Sequence, residues 1–404
     1  MSKTSSSIAI VGGGIGGLFA ALSLLRDGHD VHVYEQARSL REVGAGIVLT
    51  PNAARLLDNA GLGAILRAQA VAPKVVHQRR WQDGRTLLRN PLTQHAAPSG
   101  EPLFLTAHRA DVLSMLLAAV PPERLHLDHR LSAAVDDGDG VTLSFANGSS
   151  ARADIAIGAD GIRSTVRDIL FGAEQPRFTG CVAYRGMVAA DRFPHSSMGS
   201  EYGFWLGPGS HFVHYPVRGG ELINFISLID REAWTEESWT QPADPSDLRA
   251  FYAGWHEQVR SLVTTVEETF VWGLFDREPL QRWSLGRVTL LGDAAHPMLP
   301  FMAQGAAQAI EDSAALAACI QQDGAGPSAL QRYESVRLPR TARIQTVARG
   351  NKTRNHLPDG PEQEARDAQM ATGSAQWAIG ASAWVYDHDA ANIDSANKGL
   401  PAGG

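Results

Sequence analysis

Ile8-Ala9-Ile10-Val11-Gly12-Gly13-Gly14-Ile15-Gly16-Gly17-Leu18-Phe19 sets an apolar run against a glycine-rich turn and then resumes with good helix formers. The run reads as a buried strand from Ile8 to Val11, the glycines as a turn from Gly12 to Gly17, and the continuation as a helix through about Arg26. A second apolar strand, Val31 to Tyr34, follows at once, so the opening is a βαβ unit. Gly12, Gly14 and Gly17 meet the G-x-G-x-x-G spacing, and Glu35 ends the next strand, 21 residues beyond Gly14. In such a unit the first glycine permits a tight turn, the second lets backbone approach a pyrophosphate, and the third lets the helix pack closely. The helix N-terminus presents free N–H groups to the anion. Glu35 would accept hydrogen bonds from a ribose hydroxyl pair, which argues against a 2′-phosphate on a nucleotide bound here. FAD and NAD satisfy the motif equally.

Working outward, a second strand-loop-helix lies late in the chain: Arg287 to Leu291, then Gly292-Asp293, then an alanine-rich helix from about Gly305 to Gln321. Between the two units, Val141 to Phe145 alternates, Asn147-Gly148 marks a turn, and Arg152 to Gly158 reads as a buried strand ending in Asp160-Gly161. From Gly180 to about Phe275 the composition shifts to aromatic and β-branched runs, among them Gly203 to Leu206, His211 to Pro216 and Leu222 to Ile229, as expected of a separate sheet. The expected fold is α/β, a Rossmann-like nucleotide-binding domain with an inserted β-sheet domain for substrate. The division places the first part of the nucleotide-binding domain at 1–179, the sheet domain at 180–278, the second part at 279–350, and a C-terminal helical segment and mobile tail at 351–404.

The 404 residues, 44% hydrophobic and 20% charged, suffice for a sizeable core in two connected domains. A net charge of -7 without long like-charge runs gives no footprint for nucleic acid or acidic lipid. Cys181 and Cys319 stand far apart without a CxxC or histidine-rich context, so two buried thiols are expected rather than a disulfide or a metal site. Met1 to Ser7 is short and polar and runs straight into a strand, leaving no room for a signal peptide, and no apolar run approaches the ~20 residues of a membrane span. A cytoplasmic protein without membrane or nucleic-acid partners is expected.

Three further segments choose between the nucleotides: His108-Arg109-Ala110-Asp111, opening a helix; Ile157-Gly158-Ala159-Asp160-Gly161-Ile162-Arg163-Ser164; and Leu291-Gly292-Asp293-Ala294-Ala295-His296-Pro297. With the glycine loop, these DG and GD signatures resemble the group A flavoprotein aromatic hydroxylases, from about Ser7 to Arg349. Val43-Gly44-Ala45-Gly46-Ile47 and Ala183-Tyr184-Arg185-Gly186-Met187 are most similar to the salicylate, 3-hydroxybenzoate and 6-hydroxynicotinate hydroxylases.

The resemblance implies tightly bound, non-covalent FAD held by Gly12, Gly14, Gly17, Glu35, Gly46, Arg109, Leu131, Asp160, Asp293, Pro297 and Gly305, with Asp293 on the ribityl chain. The helix after Gly305 would point its positive end at the flavin. No second glycine fingerprint serves the nicotinamide, so NADH or NADPH would bind transiently. The implied reaction is hydroxylation of a small phenolic or heteroaromatic carboxylate by dioxygen through a flavin C4a-hydroperoxide, in a protein for which a homodimer is the default. Such chemistry needs a base for the substrate phenol.

His211, Val213 and Tyr215 alternate onto one strand face, and Ser210-His211-Phe212-Val213-His214-Tyr215-Pro216 matches the family's active-site histidine segment, so His211 and Tyr215 are the catalytic candidates. Arg185 is the candidate carboxylate partner, and Met298 and Phe301 would line the ring pocket. His296, next to the GD motif, suits bracing a loop as well as catalysis. The chain departs from the family pattern at Pro300, where 3-hydroxybenzoate hydroxylases carry glutamine, and at Phe301, where the nicotinate enzymes carry histidine. A flavin oxidoreductase without oxygen insertion, and a non-catalytic FAD-binding redox sensor, are the alternatives.

Overall fold

Ser7–Val11 is the central strand of a five-stranded parallel sheet in the computed structural model, which describes residues 5–40, 45–193, 201–234, 241–372 and 382–394. Val43, Gly44 and the tail from Ser395 lie outside the described residues. The sheet runs in the order Val288–Leu290, Ile155–Gly158, Ser7–Val11, Asp30–Tyr34, Leu125–His126. Strands Ser7–Val11, Ile155–Gly158 and Val288–Leu290 read as apolar runs because both of their faces are covered. Helices Ile15–Arg26 and Gly305–Asp323 pack closely against one another. Small residues permit this: a Cβ on Gly16 would stand 2.7 Å from Leu291 Cδ2 and 3.0 Å from the Ala309 Cβ. The Ser313 hydroxyl donates across the same contact to the Gly16 carbonyl at 3.0 Å.

The stretch expected as one strand from Arg152 to Gly158 is two strands in two sheets. Ser150–Ala153 closes an antiparallel sheet with Val141–Phe145 and Leu131–Asp136, whereas Ile155–Gly158 joins the parallel sheet. Asp154 makes the step: its N–H donates to the Ser7 carbonyl at 2.8 Å and its carboxylate accepts the Ser7 N–H at 2.9 Å. This tertiary pair, formed across 147 residues of sequence, fixes where the chain passes from one ladder to the other.

The second large sheet has eight strands, in the order Gln241–Ala243, Thr269–Asp276, Arg177–Ala189, Leu222–Asp230, Ser210–Val217, Tyr202–Gly207, Val75–Arg80, Thr86–Pro91. Residues 75–91 thus belong to this sheet, although the sequence reading left them with the nucleotide-binding half. Their alternation was hidden by His77-Gln78-Arg79-Arg80, because His77 and Arg79 pair with the buried Glu201 instead of with apolar neighbours. One face of the sheet, carrying Trp205, Phe212, Phe225 and Val182, is covered by Leu248, Tyr252, Val259 and Leu262 from helices Pro245–Phe251 and Glu257–Thr264 and the chain between them. The other face turns toward the segment that follows the GD motif.

Candidate functional site

The glycine loop is shaped by contacts only glycine allows. Gly12 has φ +114°, and a Cβ there would lie 2.3 Å from the Ala159 carbonyl oxygen. One on Gly17 would lie 2.0 Å from the Gly12 oxygen. Gly14 is different, since a Cβ there meets no protein atom within 4 Å. It lines a cavity of about 210 Å³ with Gly12, Glu35, Leu131, Asp160 and Arg163. Glu35 is held over the loop, its two oxygens accepting the Gly13 N–H at 2.7 Å and the Ala37 N–H at 2.8 Å. Asp160 accepts from the Ser164 hydroxyl at 2.5 Å and from the Val166 N–H at 3.1 Å, so it fixes the start of helix Thr165–Phe171 while bordering the cavity. Burial raises its carboxyl above the ordinary value, against those hydrogen bonds.

Arg163 also borders a second cavity, of about 110 Å³, lined by Trp272, Asp293, Pro297, Met298 and Pro300. Asp293 is exposed to this space, and the protein packed around it raises its carboxyl by desolvation, partly opposed by His296 and Arg109. The Arg109 N–H donates to the Ala45 carbonyl at 2.8 Å. The first turn of helix Gly305–Asp323 begins beside Asp293: a Cβ on Gly305 would be 4.0 Å from its Oδ1. The turn leading in is strained at Ala303, a non-glycine residue at φ +51°.

Behind Asp293 lies a buried polar network. Asp312 accepts the Gly292 N–H at 2.9 Å and contacts His296 Nε2 at 2.6 Å, while Arg337 binds both Asp312 and Glu311. Glu311 also takes two hydrogen bonds from Arg340 and one from Asn52, and Gln304 and Gln308 complete the set. His296 therefore braces the GD turn, 1% exposed. Burial pushes the Glu311 and Asp312 carboxyls up, but Arg337 and Arg340 hold Glu311, and His296 and Arg337 hold Asp312, below their ordinary values.

Arg185, His211 and Tyr215 share one face of the eight-stranded sheet. The register gives three rows: Met187, Asn224 and Tyr215; then Arg185, Ile226, Val213 and Phe204; then Ala183, Leu228, His211 and Leu206. Cross-strand partners point to the same side, so Arg185 shares the middle row with Val213, the residue between Tyr215 and His211, but stands two strands away from it across Ile226; Tyr215 and His211 are about 13 Å apart along their strand. The Arg185 guanidinium sits 4.9 Å over the Trp272 ring, and that ring lines the second cavity. Tyr215 stacks on Tyr202 at 5.3 Å, and burial raises its phenol well above the ordinary value. Gly46 packs against this face: a Cβ would be 2.7 Å from Tyr215 Cε2, and its N–H donates to Asn224 Oδ1 at 2.7 Å.

His211 stacks on Phe204 at 4.7 Å, with Phe301 at 5.3 Å. Burial and the neighbouring His356 depress its imidazole well below the ordinary value. Met298 borders the Asp293 cavity, whereas Phe301 packs beside His211. Sequence reasoning did not find Trp272, the Arg337–Asp312 network or His356. Arg163 stood within the quoted DG segment and was given no role.

Comparison with known proteins agrees with this layout. The family model described as an FAD binding domain matches residues 5–348. A 3-amino-4-hydroxybenzoate 2-monooxygenase of Streptomyces platensis, PtmB3, is 41% identical, over 98% of this chain and 99% of that protein. The 6-hydroxynicotinate 3-monooxygenase of Bordetella bronchiseptica is 38% identical, over 85% and 91% of the two chains. Among solved structures, Klebsiella pneumoniae HpxO with FAD and uric acid superposes with a TM-score of 0.83 at 27% identity, covering 96% of this chain and 97% of the other. A glycine loop without protein atoms over Gly14, a ribose-side carboxylate at Glu35 and a helix start beside Asp293 suit an extended dinucleotide. By sequence, by fold and by the fit of these two cavities, the chain belongs to the FAD-binding family of flavin-dependent aromatic monooxygenases.

Proposed function

We propose that this enzyme hydroxylates a benzoate carrying a ring hydroxyl, with or without an adjacent amino group, using NADH or NADPH and dioxygen. The observation that supports this reading most is that Arg185, Tyr215 and His211 share one sheet face, with Arg185 in the cross-strand row of Val213, midway along the strand between the other two. A guanidinium suits a carboxylate through paired charge-assisted hydrogen bonds, and Arg185 is poised to take the acid group. The ring then lies over Val213 and Ile226, with Tyr215 as a hydrogen-bond donor at one end and His211 at the phenol. Phe301 and Leu299 close the apolar side and exclude water. A benzoate fits better than a nicotinate here, because Phe301 supplies no polar group to a ring nitrogen and Phe204 stacks on His211. Relatives at 40–42% identity that are named for 3-amino-4-hydroxybenzoate support the same class.

Gly12, Gly14 and the helix start at Ile15 bind the pyrophosphate, Glu35 the adenosine ribose, and Asp293 the ribityl hydroxyls. Bound FAD supplies the hydride acceptor and the site of oxygen activation. The protein supplies ring placement, water exclusion and ionisation of the phenol, since a phenolate oxygen feeds electron density to the carbon attacked. NAD(P)H oxidation by the FAD-loaded protein in air, measured across 3-amino-4-hydroxybenzoate, 3-hydroxybenzoate, salicylate and 6-hydroxynicotinate, tests the assignment. Faster oxidation with a hydroxylated product from one of the benzoates supports it, and turnover of 6-hydroxynicotinate alone overturns it.

A further inference from the structure

His211 is the first member of a hydrogen-bonded chain that leads out of the core. Its Nδ1 stands 2.7 Å from His356 Nε2, and His356 Nδ1 stands 2.8 Å from Asp230 Oδ1. His211 and His356 are 2% and 6% exposed, whereas the Asp230 side chain is 40% exposed. A carboxylate can only accept, so His356 Nδ1 carries the proton donated to Asp230; with both rings neutral, its Nε2 then accepts and His211 Nδ1 is the donor. One set of tautomers satisfies the chain, and it leaves the lone pair of His211 on Nε2, at the opposite edge of the ring.

From this geometry we infer that His211, His356 and Asp230 form a proton relay between the substrate hydroxyl and solvent. The inference rests on the reading of His211 as the group that meets the phenol. The substrate O–H bond breaks as its proton joins His211 Nε2. The Nδ1 proton of His211 passes to His356 Nε2, the Nδ1 proton of His356 passes to Asp230, and the carboxyl releases it to water. One proton leaves, a phenolate remains, no electron changes hands, and reverse transfer restores both tautomers when the product is reprotonated.

A depressed imidazole sealed between Phe204 and Phe301 cannot keep the proton, but it can hand it on, which is what His356 is placed to receive. The other polar groups facing the relay are Lys352, with Nζ 3.4 Å from Asp230 Oδ1, and the Cys181 thiol, which burial pushes far above its ordinary value. His356 and Asp230 are positioning residues that act through His211. Both come from segments remote in sequence: Asp230 ends the strand Leu222–Asp230, and His356 caps the helix Pro327–Asn355.

The test uses the FAD-loaded enzyme with 3-amino-4-hydroxybenzoate as probe, following proton release on mixing with an indicator dye and phenolate absorbance by stopped flow. His356→Gln and the surface variant Asp230→Asn should each slow proton release by roughly 10- to 100-fold while leaving the probe's Kd within about twofold. Added imidazole should restore the His356→Gln rate in part, which a merely structural role would not allow. Unchanged release in both variants, with His211→Gln abolishing it, overturns the relay and leaves the base reading intact. Unchanged release in His211→Gln as well overturns both.

Discussion

Arg337 Nε donates to Asp312 Oδ1 at 2.7 Å inside the core, where neither side chain has exposed surface. The other oxygen of Asp312 holds the Gly292 N–H and His296, so this ion pair stands one residue from Asp293. Replacing Arg337 by methionine would leave Glu311 and Asp312 buried and short of a partner, at a cost of about 3–5 kcal/mol. We expect Arg337→Met to lower the thermal midpoint and to weaken FAD retention, read from flavin fluorescence of the desalted protein. A variant with wild-type FAD retention would show that the network supports stability alone.

The glycine loop separates two kinds of failure. Gly17→Ala places a methyl 2.0 Å from the Gly12 oxygen and is expected to cost folded yield. Gly14→Val meets no protein atom within 4 Å at its Cβ, so it should fold normally yet purify colourless. Circular dichroism with the flavin absorbance of each variant checks the contrast.

Arg185→Met should raise the KM for the acid by roughly 10- to 100-fold while FAD content stays constant, as expected for the loss of charge-assisted hydrogen bonds. Arg185→Lys should recover little, because an ammonium lacks the paired geometry and stacks poorly over Trp272. Steady-state kinetics on the preferred acid decide, and an unchanged KM would remove Arg185 from the substrate site.

The fold was legible where the chain obeys a single period or a backbone rule. The glycine loop, Glu35 and the strand before Gly292-Asp293 all read correctly from spacing, because glycine contacts and parallel strands leave local marks. Residues 75–91 did not, since His77 and Arg79 answer to Glu201 across the sheet. Nor did the Asp312–Arg337 pair, the Arg185–Trp272 contact or His356, which join segments far apart in the chain. Charged side chains on an outwardly ordinary helix give no sign that they are 0% exposed.

Acid should destabilise the fold well before the carboxylates titrate. Burial lowers His214 to about 3, with Glu201 opposing and Arg79 and His77 adding to the effect, and burial likewise lowers His388 to about 4. Both remain neutral in the folded chain but take up a proton when unfolded, below about pH 6.5. The unfolded state then binds more protons, so stability falls as pH drops from that value toward 4, by about 1.4 kcal/mol per pH unit for each group. Urea unfolding between pH 7 and pH 4.5 should show this slope, and His214→Gln should reduce it by about one proton. An unchanged slope would show that His214 is already protonated in the native state.

Oxygen insertion is the most direct test of the central claim. The FAD-loaded enzyme is incubated with NADH or NADPH and the preferred hydroxybenzoate under oxygen-18 gas, and the aromatic product is weighed by mass spectrometry. The structure predicts one labelled oxygen per product ring. Oxidation of the nicotinamide with all the label in peroxide and water, for every acid in the panel, would contradict it and leave a flavin oxidase or a sensor.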